Sequence, residues 1–229
     1  MVMHQLPVFI STLFILTTAI TVFLFYRASH NSIATLIVLL TWLAQQAIVS
    51  ATGFYTVTNA LPPRFLLLVL PPVLLIILIF ILPQGRRYVD SLDIRKLTLL
   101  HTVRVLVELV LYWLYIQKTI PGLMTFEGWN FDVFSGLSAP VVFYYGFVKK
   151  RIGRKGLLVW NFVSLALLIN VVLIAMLSAP LPFQQLAFDQ PNVALFYFPF
   201  VWLPCVVVPI VLFAHLVTIR QLIRVKSLK

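Results

Sequence analysis

The sequence predicts an all-α integral membrane protein, a single domain of residues 1–229 that forms a bundle of seven transmembrane helices. Hydrophobic residues make up 62% of the chain and charged residues only 10%, and the mean hydropathy is +1.04. A soluble domain has roughly 25% charged residues, which keep its surface hydrated. The apolar runs are also continuous rather than alternating, as in membrane helices and unlike the strands of a transmembrane β-barrel.

The seven predicted helices follow from the lengths of the apolar runs. A helix that crosses the hydrocarbon core needs about 20 apolar residues, within a usable range of about 17–25. The candidate spans are residues 7–26, 32–54, 65–82, 97–117, 133–148, 157–178 and 194–219. The fifth span is the weakest candidate because it is short and Pro140 interrupts it. Prolines also lie inside the third and seventh spans, where each removes a backbone donor and can bend the helix.

The basic residues predict the orientation of this bundle, with the N-terminus outside and the C-terminus in the cytoplasm. In this arrangement most of the 17 basic residues lie in inner loops, whereas the outer loops hold only Arg64 and Lys118 and one span holds Arg104. This asymmetry satisfies the positive-inside rule. Because the basic residues are spread between apolar segments, the net charge of +11 does not predict a nucleic-acid partner.

The fourth span carries a polar stripe along one face. At 100° per residue, five side chains fall within an arc of about 80°: His101, Arg104, Glu108, Tyr112 and Tyr115. An ionised group at the bilayer centre costs about 2.5–3.5 kcal/mol on insertion scales. We therefore expect the stripe to face the bundle interior or a water-filled cavity, with Gln45 and Asn170 as its partners at matching depth.

Two interpretations of this stripe are open. Arg104 and Glu108 are four residues apart, so they can pair along one helix face and form a structural ion pair that fixes the register of the bundle. Alternatively, the stripe lines a ligand or ion pathway in which Glu108 titrates, the two tyrosines shape the outer approach and His101 shapes the inner exit. An ionisable residue inside a membrane is a functional candidate by default.

The stretch 118–134 is too polar to cross a membrane and carries an aromatic residue every few positions. We interpret it as a lid or re-entrant segment at the outer face, with an ordinary interfacial loop as the alternative. Its residues Glu127, Asn130 and Asp132 could form a polar site near lipid headgroups. Such a site would suit a membrane enzyme that acts on a lipid or an isoprenoid.

No cofactor and no metal site are predicted, because the sequence contains none of the familiar metal-binding or haem-attachment motifs. His101 and His215 lie at matching depth in antiparallel spans, so a haem held between them is a minor alternative. A covalently bound retinal would need a lysine within a span to form its Schiff base. The lysines all lie in loops or at the ends of spans, which makes a retinal protein an unfavourable interpretation.

Two stretches, Glu108–Tyr115 and the run Met124-Thr-Phe-Glu-Gly-Trp-Asn-Phe-Asp, resemble a family of small multi-pass membrane proteins of bacteria to which no activity is attached. The resemblance implies a bacterial cytoplasmic membrane and transfers no function. The polar stripe favours one hypothesis for the function: the protein binds a small ligand or ion inside the bundle, for transport or sensing. The alternatives are the outer-face enzyme and a non-catalytic membrane subunit. Apart from the lipid bilayer and this ligand no partner is predicted, and the oligomeric state is open.

Overall fold

The computed structural model describes residues 6–224, which form helices and connecting turns without any β-strand. The all-α class is therefore confirmed for this part of the chain. Five helices are long and apolar enough to cross a membrane, or six if a bent pair of helices counts as one span. One further apolar helix, Val133–Val148, is shorter. These seven segments correspond to the seven predicted spans, although several of their ends differ.

The first four helices are α1 (Val8–Ala28), α2 (Ile33–Ala51), α3 (Leu66–Ile81) and α4 (Pro83–Ser91). The chain bends by 94° between α3 and α4. Leu82 is extended there, with φ −71° and ψ 139°. The pyrrolidine ring of Pro83 disfavours helical backbone in the residue before it and is well suited to start a new helix. The two helices are therefore separate elements at a right angle.

The predicted fourth span corresponds to one candidate membrane span, Ile94–Ile116, which a turn divides into two helices. Its halves are α5 (Ile94–Leu100) and α6 (Val103–Ile116), and a turn at His101 and Thr102 separates them. The carboxylate of Asp93 caps α5 by accepting hydrogen bonds from the backbone N–H groups of the next turn. Because of the break, the 100° spacing of the predicted stripe holds only from Arg104 onward.

The remaining helices are α7 (Val133–Phe143), which continues as a π turn over Tyr144–Val148, then α8 (Arg154–Leu177) and α9 (Val208–Arg224). A second π turn, Leu203–Val207, leads directly into α9. The predicted start of the seventh span at residue 194 is wrong, since residues 194–202 form a short 3₁₀ turn followed by further turns. Pro199 and Pro204, which cannot donate to a helical ladder, account for this late start.

Hydrogen bonds between helix ends define two opposite faces of the bundle. On one face Lys96 donates to the carbonyl of Arg27 at 3.0 Å, and Arg154 donates to the carbonyl of Leu222. On the other face the backbone N–H groups of Val193 and Ala194 donate to the carbonyl of Thr119. The end of α1 and the starts of α5 and α8 therefore lie beside the end of α9, and the connections that follow α6 and α8 lie together at the other face.

The helices are unequally buried. In the stretch Leu203–Arg224, which contains the π turn and α9, 67% of the most apolar part is buried within the protein, against 17% in α2. Helix α9 is therefore the central element, and α3, α5 and α8 all pack against it. Helix α2 lies at the periphery, where the indole of Trp42 donates to the carbonyl of Cys205 at 3.0 Å.

Candidate functional site

The connection from α6 to α7, residues 118–132, returns into the bundle, and we call it the re-entrant segment. Its last residue, Asp132, contacts Arg104 in the first turn of α6. Arg104 lies about 12 residues before the end of α6 at Ile116, a distance of about 18 Å along the helix axis. The segment therefore runs back along most of α6 before α7 begins, which explains why the fifth predicted span is so short.

Arg104 and Asp132 form a bidentate ion pair in the protein interior. The Arg104 Nε donates to Asp132 Oδ2 at 2.6 Å, and Nη2 donates to Oδ1. Arg104 is 2% exposed and Asp132 is 4% exposed. The carboxylate also lies at the N-terminus of α7, where the helix dipole favours negative charge.

Of the two open interpretations of the stripe, the ion pair between Arg104 and Glu108 is not the one that forms, because the carboxylate bound to Arg104 is that of Asp132. The spacing of four residues allows such a pair, but Asp132 offers both carboxylate oxygens to the guanidinium fork, which is the stronger geometry. Asp132 comes from a distant part of the chain, and spacing along a single helix cannot reveal such a partner.

The remaining donors of Arg104 bind α8 and α9. Its Nη2 donates to the carbonyl of Ser164 at 2.9 Å, and its Nη1 lies 3.0 Å from Nε2 of His215. A guanidinium has no acceptor, so Nε2 must accept and the His215 proton must lie on Nδ1. Nδ1 in turn lies 2.9 Å from Oδ1 of Asn161, which is an acceptor. His215 is therefore a neutral imidazole whose tautomer is fixed on both sides.

Glu108 joins the same network through Asn130. The amide nitrogen of Asn130 donates to Glu108 Oε1 at 2.6 Å and to the carbonyl of Met124 at 2.9 Å. The amide oxygen of Asn130 accepts from the backbone N–H of Asp132 at 3.0 Å. The second oxygen of Glu108, Oε2, is buried and has no hydrogen-bond partner among residues 6–224.

These contacts correct the predicted outer-face site. Asn130 and Asp132 are buried, with 0% and 4% exposure, and they lie against the polar residues of α6 rather than at the lipid headgroups. Glu127, the third predicted member, is exposed and stands apart from them. The polar stripe and part of the outer-face site are thus a single interior network, because the re-entrant segment brings them together.

His101 and His215 stack on each other, with ring centroids 3.8 Å apart and an interplanar angle of 17°. The ring of Trp160 meets His101 edge-on at 5.5 Å. Two imidazoles in face-to-face contact leave no room for a porphyrin between them, so these residues do not fit a haem clamp. Neither ring nitrogen of His101 has a hydrogen-bond partner within the described chain.

A narrow apolar cavity of about 80 Å³ lies beside the network, between α3, α6, α8 and α9. Its charged lining residues are Arg104, Glu108 and Asp132. The rest of the wall is almost entirely aliphatic and aromatic, and includes Val69, Leu168, Val171 and Val207. The π turn Leu203–Val207 forms part of this wall, and π turns inside helices are frequent at functional sites.

The other predicted pathway residues lie away from the cavity. Tyr112 stacks on Phe126 with ring centroids 4.9 Å apart, and the ring of Tyr115 lies against Gly122. Both tyrosines thus support the re-entrant segment. Asn170 also holds this segment, because its amide donates to the carbonyl of Trp129 at 2.8 Å.

Gln45 does not approach the stripe, and its predicted role is a further correction. It is exposed on α2, whereas the next residue, Gln46, is buried and accepts a hydrogen bond from the hydroxyl of Tyr55. One residue along a helix is a rotation of 100°, which is enough to exchange an interior position for a lipid-facing one.

Asn161, Ser164 and His215 complete the network but were not predicted as parts of it. The sequence does hold a signal for two of them, since Asn161 and Ser164 are three residues apart and share one face of α8. Both are buried in the structure. What the sequence lacks is any indication that this face of α8 meets Arg104.

The fold and the site together define a class, a multi-helix membrane protein with an interior ionic network beside an apolar cavity. Residues 61–223 match the model of a domain of unknown function, DUF8737. The match covers most of the chain and all of the network, so the protein belongs to the DUF8737 family. This confirms the resemblance to a family without an attached activity. No curated protein and no solved structure matches the chain.

Proposed function

We propose that the protein binds a small ligand or ion inside its helix bundle, in the cavity beside Glu108. The observation that carries this proposal is the unpartnered Oε2 of Glu108, a residue that is 2% exposed and lines the cavity. Buried polar groups in proteins are almost always hydrogen-bonded, and an unmade bond costs about 1–3 kcal/mol. A ligand that pairs with Oε2 removes this cost, which gives the cavity an affinity for it.

The proposal includes seven spans, with the N-terminus outside and the C-terminus in the cytoplasm of a bacterium. The five long helices are completed by α3 and by Val133–Val148, whose 16 residues extend about 24 Å. The arrangement of helix ends supports this alternation. The ends of α1 and α9 and the start of α8 share the face that carries most of the basic residues, as the positive-inside rule requires.

Transport or sensing follows from the way the site is connected. Asn130 binds Glu108 on one side and the backbone of the re-entrant segment on the other. A ligand that changes the bonding of Glu108 therefore acts directly on a segment that extends to the opposite end of α6. The interior position of Asn130 and Asp132 favours this function over an enzyme at the outer lipid interface.

The proposal can be tested by filling the cavity. The full-length protein in detergent is screened by thermal unfolding against sodium, potassium, ammonium, acetate and short-chain alcohols. We expect at least one of these to raise the Tm of the wild type but not of Val171→Phe, which fills the cavity. Ile169→Phe is the matched control, since Ile169 lies on the same helix and is exposed. Equal responses in all three proteins, or none in the wild type, would reject the proposal.

A compound that binds in this screen can then be used to distinguish transport from sensing. The wild type and Val171→Phe are reconstituted in lipid vesicles, and uptake of that ligand is measured. Accumulation with the wild type alone establishes transport. Binding without accumulation establishes a receptor, whose signal should alter the hydrogen exchange of the re-entrant segment.

A further inference from the structure

We infer that the ligand is a small organic monocation, an ammonium group with one or a few methyl groups, which binds Glu108 in exchange for a proton. This inference rests on the proposed function and specifies its ligand. It follows from three properties of the cavity: the charge of its lining residues, the chemistry of its wall and its size.

The charges around the cavity do not balance when Glu108 is ionised. Arg104 and Asp132 neutralise each other through their bidentate bonds, and His215 is neutral because its tautomer is fixed. Its stacking partner His101, at the break before α6, lies in the same low-dielectric interior, which favours an uncharged imidazole. Within the described residues, α3, α8 and α9 add no charged side chain to the cavity wall.

An isolated buried carboxylate is strongly unfavourable. Glu108 therefore needs either a proton or a cation beside it. Proton and cation compete for the same oxygen, Oε2, so that the binding of one displaces the other.

The apolar wall selects the kind of cation. Metal ions such as Ca²⁺ and Mg²⁺ require several oxygen ligands, whereas the carboxylates of the wall are Glu108 and Asp132, and both oxygens of Asp132 already bind Arg104. A methylated ammonium donates an N–H group to the carboxylate and makes apolar contacts through its methyl groups, and each further methyl group leaves one N–H group fewer to be bonded. Val171 and Leu168 provide such contact. An anion would be repelled by Glu108 in its ionised form.

The space inside the cavity fits a ligand group of a few heavy atoms. Its volume of about 80 Å³ is well below the roughly 150 Å³ of an engineered apolar cavity that holds benzene. Methylammonium is the simplest probe of this size. With so few atoms, an affinity in the millimolar range is expected.

The exchange of a proton for the cation at Glu108 predicts a proton release that can be measured. When methylammonium binds protonated Glu108, the carboxyl O–H bond breaks, the proton passes to water and the carboxylate pairs with the cation. We expect methylammonium chloride to release about one proton per bound cation from the purified full-length protein in weak buffer, and to raise its Tm. The apparent affinity should increase about tenfold per pH unit while Glu108 is protonated, and then level off.

Four controls, two compounds and two variants, make the experiment specific. Sodium chloride matches the ionic strength, and acetamide is a neutral molecule of similar size. Glu108→Gln keeps an oxygen that can accept from Asn130 but cannot be ionised, so it should neither bind methylammonium nor release a proton. Asp189→Asn removes an exposed carboxylate and should behave like the wild type.

The outcomes separate the inference from the proposed function. Binding of acetamide or sodium in place of methylammonium, blocked by Val171→Phe, would overturn the inference and leave the proposed function intact. Methylammonium binding that persists in Glu108→Gln would also overturn the inference. If neither methylammonium nor any compound of the earlier screen binds, both fail. Should Glu108→Gln not fold, loss of proton release in Val171→Phe serves as the test.

Discussion

Arg104 and Asp132 are 28 residues apart in the chain, and their side chains form a buried bidentate ion pair. The pair joins the start of α6 to the start of α7, so it fixes the depth at which the re-entrant segment ends. Since Arg104 also binds α8 and α9, this one guanidinium connects four elements of the bundle.

The ion pair gives the first prediction. Asp132→Asn should destabilise the protein by about 3–5 kcal/mol, because a buried charge then lacks its counter-charge. Thermal or denaturant unfolding of the purified protein measures the loss. The double variant Arg104→Met with Asp132→Leu should lose less than Asp132→Asn alone. If the loss in the double variant equals the sum of the losses in Arg104→Met and in Asp132→Leu, the direct pairing is contradicted.

The tautomer of His215 gives the second prediction. Its proton should lie on Nδ1 and its Nε2 should be unprotonated, because Nε2 accepts from Arg104 and Nδ1 donates to Asn161. The ¹⁵N chemical shifts of labelled imidazoles report this directly. Arg104→Met should free Nε2 and change its shift. An Nε2-protonated ring in the wild type would disprove the bonding pattern.

The contact between α6 and α7 gives the third prediction. A Cβ atom added at Gly136 would lie 2.8 Å from the backbone nitrogen of Val105, and backbone cannot yield as a side chain can. Gly136→Ala should therefore push α7 away from Arg104 and destabilise the protein by about 1–3 kcal/mol. Gly153→Ala is the control, since nothing lies within 4 Å of the added atom there. Equal unfolding temperatures for the two variants would contradict the close packing.

The junction between α4 and α9 gives a pH-dependent prediction. The pKa of Asp90 is held below its usual range, first by its hydrogen bond from Arg220 and further by Arg224. A depressed carboxyl pKa stabilises the folded state above the unfolded pKa of about 3.9, and this stabilisation is lost as the pH falls through the folded pKa. The protection of residues 83–91 against hydrogen exchange, relative to the intrinsic rate at each pH, should therefore fall below about pH 4. Asp90→Asn should be less protected already at neutral pH, with little further loss of protection on acidification.

The sequence predicted which residues of α6 face the interior, because the free-energy cost of a charge in lipid requires Arg104 and Glu108 to face protein or water. It also predicted apolar helices, of which five are long enough to cross a membrane, or six if the bent pair α3 and α4 counts as one. It could not reveal Asp132 as the partner of Arg104, since that contact depends on how the re-entrant segment returns into the bundle. The misplaced Gln45 has a different cause. Helix α2 is so little buried that its apolar pattern barely distinguishes one face from another.

A row of hydrogen bonds runs from Arg104 to Leu157, and in each bond the residue nearer to Arg104 is the donor. Arg104 donates to His215, His215 donates to Asn161, and Asn161 donates to the carbonyl of Leu157 at 2.9 Å. His215 can take up an extra proton only on the nitrogen that already faces the guanidinium, so this row of donors is closed to proton hopping from the cavity. The bonds from Arg104 to Leu157 therefore offer no path along which a proton could pass from the cavity toward the start of α8.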